Sequence, residues 1–151
     1  AFDFDGVVAD DESETIYQET HDVAKFHEYE QSHVNVPHTP GPLKDFLAKL
    51  SIVQQLEEKK ATEDAQYKPK LRISIVTARN APSHERVINT MRNWGITVNE
   101  AFFLGGIEKK KVLEVLNPHI FFDDQKTHLV PTSSVLPSVH IPFGITNTTS
   151  P

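Results

Sequence analysis

The sequence predicts an α/β protein, a three-layer sandwich built on a parallel sheet, with a small helical insertion. Three observations predict it. Short apolar runs alternate with stretches of helical periodicity, the pattern of parallel strands joined by crossover helices. Acidic or hydroxyl clusters fall where these runs end, at the carboxyl ends of the strands, where open α/β sheets bind ligands. Residues 10–70 interrupt the alternation directly after the first run and contain no strand-like stretch.

The first run is AFDFDGVVAD. Only Ala1 and Phe2 precede Asp3, whereas strands ordinarily run about five to six residues. The chain is therefore expected to begin inside a strand and to be a piece of a longer protein, or its ordered part. In the insertion, Ile16, Thr20, Val23 and Phe26 fall on one helical face, and Leu43, Phe46, Leu47, Leu50, Val53 and Leu56 make a stronger one. HVNVPHTPGP between them reads as a Pro-rich loop, and EEKKATEDAQYKPK as charged and exposed. LRISIVTAR (71–79) is a buried strand with a polar end. APSHERVINTMRNWG carries Val87, Ile88, Met91 and Trp94 at helical spacing, with Ser83 placed as N-cap and Gly95 as the stop. AFFLGG (101–106) is the next strand, and 107–116 the next helix, ended before Pro118. HIFFDD (119–124) runs from apolar into acidic, and SVHIPFG (138–144) is the last strand, with Pro142 marking its end or an edge. The expected division is a core of residues 1–9 and 71–151 and a helical cap of residues 10–70.

Composition bounds the function. The 151 residues suffice for one domain with its own core, and 38% apolar with 24% charged residues is ordinary for a soluble globular protein. A formal net charge of −6, from 15 Lys+Arg against 21 Asp+Glu, argues against a nucleic-acid polymer as partner. A small phosphorylated ligand needs only local positive charge. The absence of cysteine excludes disulfides, thiolate metal sites and cysteine nucleophiles. No apolar run reaches membrane-spanning length and no signal-peptide pattern is present, so no membrane partner is expected and the cytoplasm is the default location.

Asp3 and Asp5 lie one residue apart, where strand alternation puts both on one side of the backbone. Carboxylates that close raise each other's pKa, and folding alone gives no reason to pair them; a bound cation offsets the repulsion. Three more clusters follow: Thr77 in TAR, a lysine in IEKKK, and Asp123 with Asp124 in FFDD. In this order they resemble the haloacid dehalogenase superfamily of phosphohydrolases, whose motifs are DxDG(V/T), a Ser or Thr after an apolar strand, a Lys, and an acidic pair. More narrowly, DESE, HTPGPLKDFL, IVTAR, RNWGITVNEAFFLGG, PHIFFDDQ and VHIPFG resemble the cytosolic 5′-nucleotidase I family along nearly the whole chain.

The resemblance implies a Rossmann-like core of haloacid dehalogenase type and magnesium-dependent hydrolysis of nucleoside 5′-monophosphates such as AMP and IMP. Asp3 is then the nucleophile, forming an aspartyl-phosphate. Asp5 is the general acid that protonates the leaving ribose oxygen and then activates water, a role that contributes about 10²- to 10⁴-fold. Magnesium is expected on Asp3, the backbone carbonyl of Asp5, and Asp123, at about 2.0–2.1 Å. Oxygen donors without Cys or paired His favour it over zinc. Asp124 orients waters or the lysine. Thr77 donates a hydrogen bond to the phosphate, and Lys109 neutralises nucleophile and phosphate together. Alignment to the family selects Lys109; the residues alone leave Lys110 and Lys111 open.

Other readings stand beside these. Asp123 and Asp124 also suit a helix N-terminus. Arg79 contacts phosphate or holds its loop. Phe26 and Tyr29 stack on a nucleobase or belong to an apolar stripe. His119 and His140 flank strands as structural residues. Two rival functions share the pattern: a phosphatase or phosphotransferase for another small phosphomonoester, and a receiver-like phosphate-sensing module. Receiver domains place an acidic pair first and the phosphorylated Asp on a later strand, an order this chain does not follow.

Overall fold

The computed structural model describes residues 1–147, the side chains of residues 18–20 excepted. It is a mixed α/β structure with parallel strands. In chain order the helices α1 (Glu12–Thr20), α2 (Val23–Ser32) and α3 (Lys44–Glu63) come first. Strands and helices then alternate: β1 (Ser74–Thr77), α4 (His84–Asn93), β2 (Glu100–Phe103), α5 (Lys109–Leu116), β3 (Phe121–Asp123), α6 (Lys126–Thr132) and β4 (Ser138–His140). No helix among the described residues is long and apolar enough to cross a membrane.

β1 pairs in parallel with β2, Ser74 opposite Glu100 and Thr77 opposite Phe103. β3 pairs in parallel with β4, Phe121 opposite Ser138 and Asp123 opposite His140. The first residues of the chain join the two pairs, because Phe2 bridges Ile75 on one side and Phe122 on the other, both in parallel. The bonds are Phe2 N to Ser74 O at 2.9 Å, Val76 N to Phe2 O at 2.8 Å, and Asp3 N to Phe122 O at 2.8 Å. The N-terminal segment thus lies between β1 and β3, and the chain's most central backbone is its first three residues.

Successive strand residues face opposite ways, and here they enter two apolar clusters. Phe2 and Ile75 pack with Leu47, Val87 and Met91, and Phe122 against them. Val76 and Phe121 pack with Leu104, Leu113, Leu129 and Leu136. Helices α3 and α4 therefore serve the first cluster, and α5 and α6 the second.

The helices show where sequence periodicity met other forces. The face of Ile16, Val23 and Phe26 is split between α1 and α2, because His21 turns left-handed (φ 50) and Asp22 caps α2, accepting from Ala24 N at 2.9 Å and Lys25 N at 3.3 Å. Ser83 does precede α4, yet its hydroxyl donates backwards to Asn80 O at 2.8 Å and gives no cap bond. Helix α6, seven residues with Pro131 inside it, shows no periodicity that the sequence could announce.

Residues after Asp3 leave the strand at once. Val8 N and Ala9 N both bond Phe4 O at 2.9 Å, and Gly6 takes φ +69. The segment beyond departs and returns at one place: Ala9 bridges Pro40 in antiparallel fashion, and Asp10 N bonds Thr39 O at 2.9 Å. Helices α1 and α2 lie inside this closed excursion. Helix α3 lies outside it, with Leu47 fully buried beside Phe2 and Ile75.

Candidate active site

Asp3, Thr77 and Asp123 end three adjacent parallel segments, so the pairing register alone brings them to one edge of the sheet. Asp3 is buried. Its Oδ1 accepts from Phe4 N at 2.7 Å, and its Oδ2 lies 2.8 Å from Lys109 Nζ. Lys109 opens α5 and also reaches Asp123 Oδ2 at 2.7 Å. It alone of the lysine triplet is buried: Lys110 pairs with Glu114 at 3.8 Å on the helix surface and Lys111 is exposed.

Asp123 is saturated. Besides Lys109, Gln125 N donates to its Oδ1 at 2.8 Å, and His128 Nδ1 sits 3.3 and 3.2 Å from its two oxygens. Asp124 is not. Its Oδ2 accepts from Thr146 Oγ1 at 3.1 Å, while its Oδ1 is buried with no partner. Its backbone carbonyl accepts from Asn147 Nδ2 at 2.9 Å and lies 3.0 Å from His140 Nε2, which gives His140 a structural role.

The electrostatics follow. Burial raises the Asp3 carboxyl, with Asp123 and Asp5 adding to the effect and Lys109 opposing it. Burial, then Asp3 and Asp123, push Asp124 up to about 8. Burial works against the Lys109 ammonium, but Asp3 and Asp123 outweigh it and hold its pKa above the ordinary value. Three buried carboxyl groups thus share one buried ammonium, and burial with mutual repulsion makes it costly to ionise Asp3 and Asp124 together; a bound cation would offset that cost. Gly6 lets the Asp124 side chain pack against the turn: a Cβ there would come 2.6 Å from Asp124 Cγ.

Among the described residues, Asp3, Asp123 and His128 also converge closely enough to share a metal, but the Lys109 ammonium already bridges the two carboxylates. A second group, Asp10, Glu12 and His38, lies at the base of the excursion. There Glu12 is engaged by Tyr29 and, at 3.2 Å, by Arg86. Beside these groups Asp124 Oδ1 is a buried oxygen without a partner, a donor of the hard type that suits a divalent cation.

Asp5 is carried by the turn, not by strand alternation. Arg79 grips it with two bonds, Nε to Oδ2 at 2.8 Å and Nη2 to Oδ1 at 2.6 Å. Burial would raise Asp5, and Arg79 overrides it, so the carboxyl lies below its usual range. Thr77 is buried, with its Oγ1 3.3 Å from Arg79 N. A cavity of about 370 Å³, a size suited to a small ligand, opens between these groups and the excursion. Asp3, Asp5, Thr77 and Arg79 line one side, and Tyr17, Val23, Phe26 and His27 the other.

Sequence reasoning missed four side chains. His128 sits five residues beyond Asp123 on α6, a helix with no legible pattern. Glu30, Arg86 and His38 are buried polar residues around Arg79, with no motif to mark them. The available signal was an arginine on the core-facing helix α4; Glu30 and His38 carried none.

Residues 1–148 match the model of a family described as 5′-nucleotidase. The chain is 40% identical over 130 residues to cytosolic 5′-nucleotidase 1B of Homo sapiens, an alignment that covers 85% of this chain and 21% of that protein. It therefore spans about a fifth of the length of that curated relative. No solved structure gives a significant match.

Proposed function

The chain belongs to the 5′-nucleotidase family, and from that premise we propose that it carries the catalytic site of a magnesium-dependent enzyme hydrolysing nucleoside 5′-monophosphates of the AMP and IMP type. The observation that carries the reading is that Asp3, which lines a cavity together with Asp5 and Thr77, is joined to Asp123 by Lys109. In this reading the core is a three-layer sandwich of haloacid dehalogenase type. The excursion closed by Ala9 and Pro40 is its lid, and α3 belongs to the core. The relative's name supports a cytosolic setting.

Asp3 is the nucleophile. Its Oδ1 is fixed by Phe4 N and its Oδ2 by Lys109, so the carboxylate meets the phosphate in a set orientation. Attack on phosphorus transfers the phosphoryl group to Asp3 and releases the ribose oxygen, which takes a proton from Asp5; Arg79 keeps that carboxyl ionised in the empty site, and the negative charge of the bound phosphate beside it raises its pKa so that it takes up the proton it then donates. Asp5 then accepts a proton from the water that cleaves the aspartyl-phosphate. Lys109 cancels charge on nucleophile and phosphate, and Thr77 donates a hydrogen bond to a phosphate oxygen. The metal role first expected of Asp123 passes in this reading to Asp124, which has the unpartnered oxygen, while Asp123 holds Lys109 in place. Asp3 and the backbone carbonyl of Asp5 complete the protein's share of oxygen donors. Magnesium, when bound, supplies charge neutralisation and orients the phosphate.

The test is phosphate release from a panel of nucleoside monophosphates and sugar phosphates, with magnesium or with chelator, for the unaltered protein and Asp3→Asn. Magnesium-dependent release from AMP or IMP, lost in Asp3→Asn while the fold is retained, is expected. Release from sugar phosphates alone keeps the chemistry and overturns the substrate. Full activity in Asp3→Asn overturns the mechanism.

A further inference from the structure

Arg79 stands at the junction of lid and site, and every nitrogen of its guanidinium is engaged. Nε and Nη2 grip Asp5, and Nη1 bonds Glu30 Oε2 and lies 3.4 Å from Ser83 O. Glu30 belongs to α2, inside the lid, and is 1% exposed. Its Oε1 accepts from Ser13 Oγ of α1 at 2.7 Å and from Arg86 Nη1 of α4 at 3.0 Å. Arg86 continues to Glu12 of α1 at 3.2 Å and to Val36 O at 2.9 Å. Charges alternate along the whole line: Asp5, Arg79, Glu30, Arg86, Glu12.

Phe26 reinforces the junction. It lies four residues before Glu30, on the same face of α2, and its ring centroid is 5.5 Å from Arg79 Cζ. Phe4 flanks the same guanidinium at 5.7 Å. Helix α2 thus presents a carboxylate and an aromatic ring to one side chain. A guanidinium is planar and rigid, so fixing one edge fixes the other. The other edge holds Asp5.

We propose that Glu30 is a positioning residue for Asp5: the seated lid helix sets Arg79 through Glu30 and Phe26, and Arg79 sets the carboxylate that serves the leaving group. The inference rests on the nucleotidase reading. Glu30 touches no reacting atom. With Glu30 altered, Nη1 loses its anchor, the guanidinium turns, and Asp5 loses the orientation that reaches the ribose oxygen. The lid's closed position and the orientation of Asp5 are then one event.

Leaving-group chemistry separates positioning from general damage. A ribose alkoxide needs a proton to depart, whereas p-nitrophenolate does not. Single-turnover cleavage of AMP and of p-nitrophenyl phosphate is measured in the full protein and in Glu30→Gln. Cleavage of AMP is expected to fall at least about tenfold, within the range that proton transfer contributes. Release of p-nitrophenolate should stay within about threefold, since only a transition-state interaction specific to the poor leaving group is lost. Equal losses on both compounds, or no loss on either, overturn the proposal. Should Glu30→Gln fail to fold, Ser13→Ala removes one hydrogen bond from Glu30 without changing charge. It is expected to give a smaller loss confined to AMP, and the same two patterns overturn the proposal. An unaltered protein that cleaves neither compound overturns the nucleotidase reading and this inference with it. One that cleaves both isolates the fate of Glu30.

Discussion

Asp123 and Asp124 are neighbours in sequence with opposite surroundings. Asp123 closes β3 and meets Lys109, Gln125 N and His128, while Asp124, the first residue past the strand, packs against Gly6 and keeps an oxygen without partner. The sequence made the acidic pair visible but gave nothing to divide its labour, because the division depends on what each side chain meets across the sheet. The lysine triplet is the converse case: one residue at the first position of α5 is swallowed by two carboxylates, and its neighbours stay at the surface. Gly6 carries a sharp prediction. Its φ of +69 suits glycine, and an added Cβ would press on Asp124. Gly6→Ala should lower unfolding free energy by about 1–3 kcal/mol from backbone strain alone. Urea denaturation checks this, and an unchanged midpoint would mean that the turn relaxes around the methyl group.

At the scale of elements, α3 was legible as a helix and illegible in its allegiance. Its apolar stripe predicts one packed face, but only the first half is packed: Leu47 is buried and Leu43 and Leu50 join the same cluster, while Val53 and Leu56 are 47% and 62% exposed. The second half is held by polar contacts. Glu57 accepts from Leu71 N at 2.8 Å, Lys70 N at 3.1 Å and the Tyr67 hydroxyl at 2.7 Å, tying the helix to the entry of β1. Two predictions distinguish the halves. Leu47→Ala should cost about 2–5 kcal/mol in chemical denaturation, the price of a fully buried leucine. A cost near zero would show that α3 contributes nothing to that cluster. The three bonds to Glu57 place its carboxyl below the ordinary 4.5, the bond from Leu71 N foremost. A carboxylate stabilised in the fold binds fewer protons there than when unfolded, so its contribution is complete above 4.5 and is lost as pH falls through the lower folded value. Glu57→Gln should therefore unfold more readily than the unaltered chain near neutral pH, and the gap should close in acid. A gap that persists below that range would show that the carboxylate's charge is irrelevant.

For the whole molecule, the sequence announced four strand ends and their chemistry but not the order of the strands. That order follows from two backbone bridges at Phe2, which carry no sequence mark. The charge line from Asp5 to Glu12 was equally hidden, because its members are scattered over residues 5, 12, 30, 79 and 86 and meet only when α1, α2 and α4 are packed around Arg79. Both results converge on one global property. Folding gathers Asp3 and Asp123 on a single ammonium with Asp124 buried nearby, and ionising Asp3 and Asp124 together is costly in the native state. A cation that binds only the folded form relieves this and adds stability by mass action, about 2.7 kcal/mol at a hundredfold excess over its dissociation constant. For a chain of this size that corresponds to roughly 5–10 °C in melting temperature. Magnesium titrated into the protein should raise the thermal midpoint by that order, with no substrate present. Asp124→Asn removes one of the repelled carboxylates, so without metal the variant should melt at or above the unaltered protein. With magnesium its shift should shrink, because the unpartnered oxygen now belongs to a neutral amide. A variant that melts lower without metal and gains as much from magnesium would return the metal role to Asp123 and leave Asp124 as packing against Gly6.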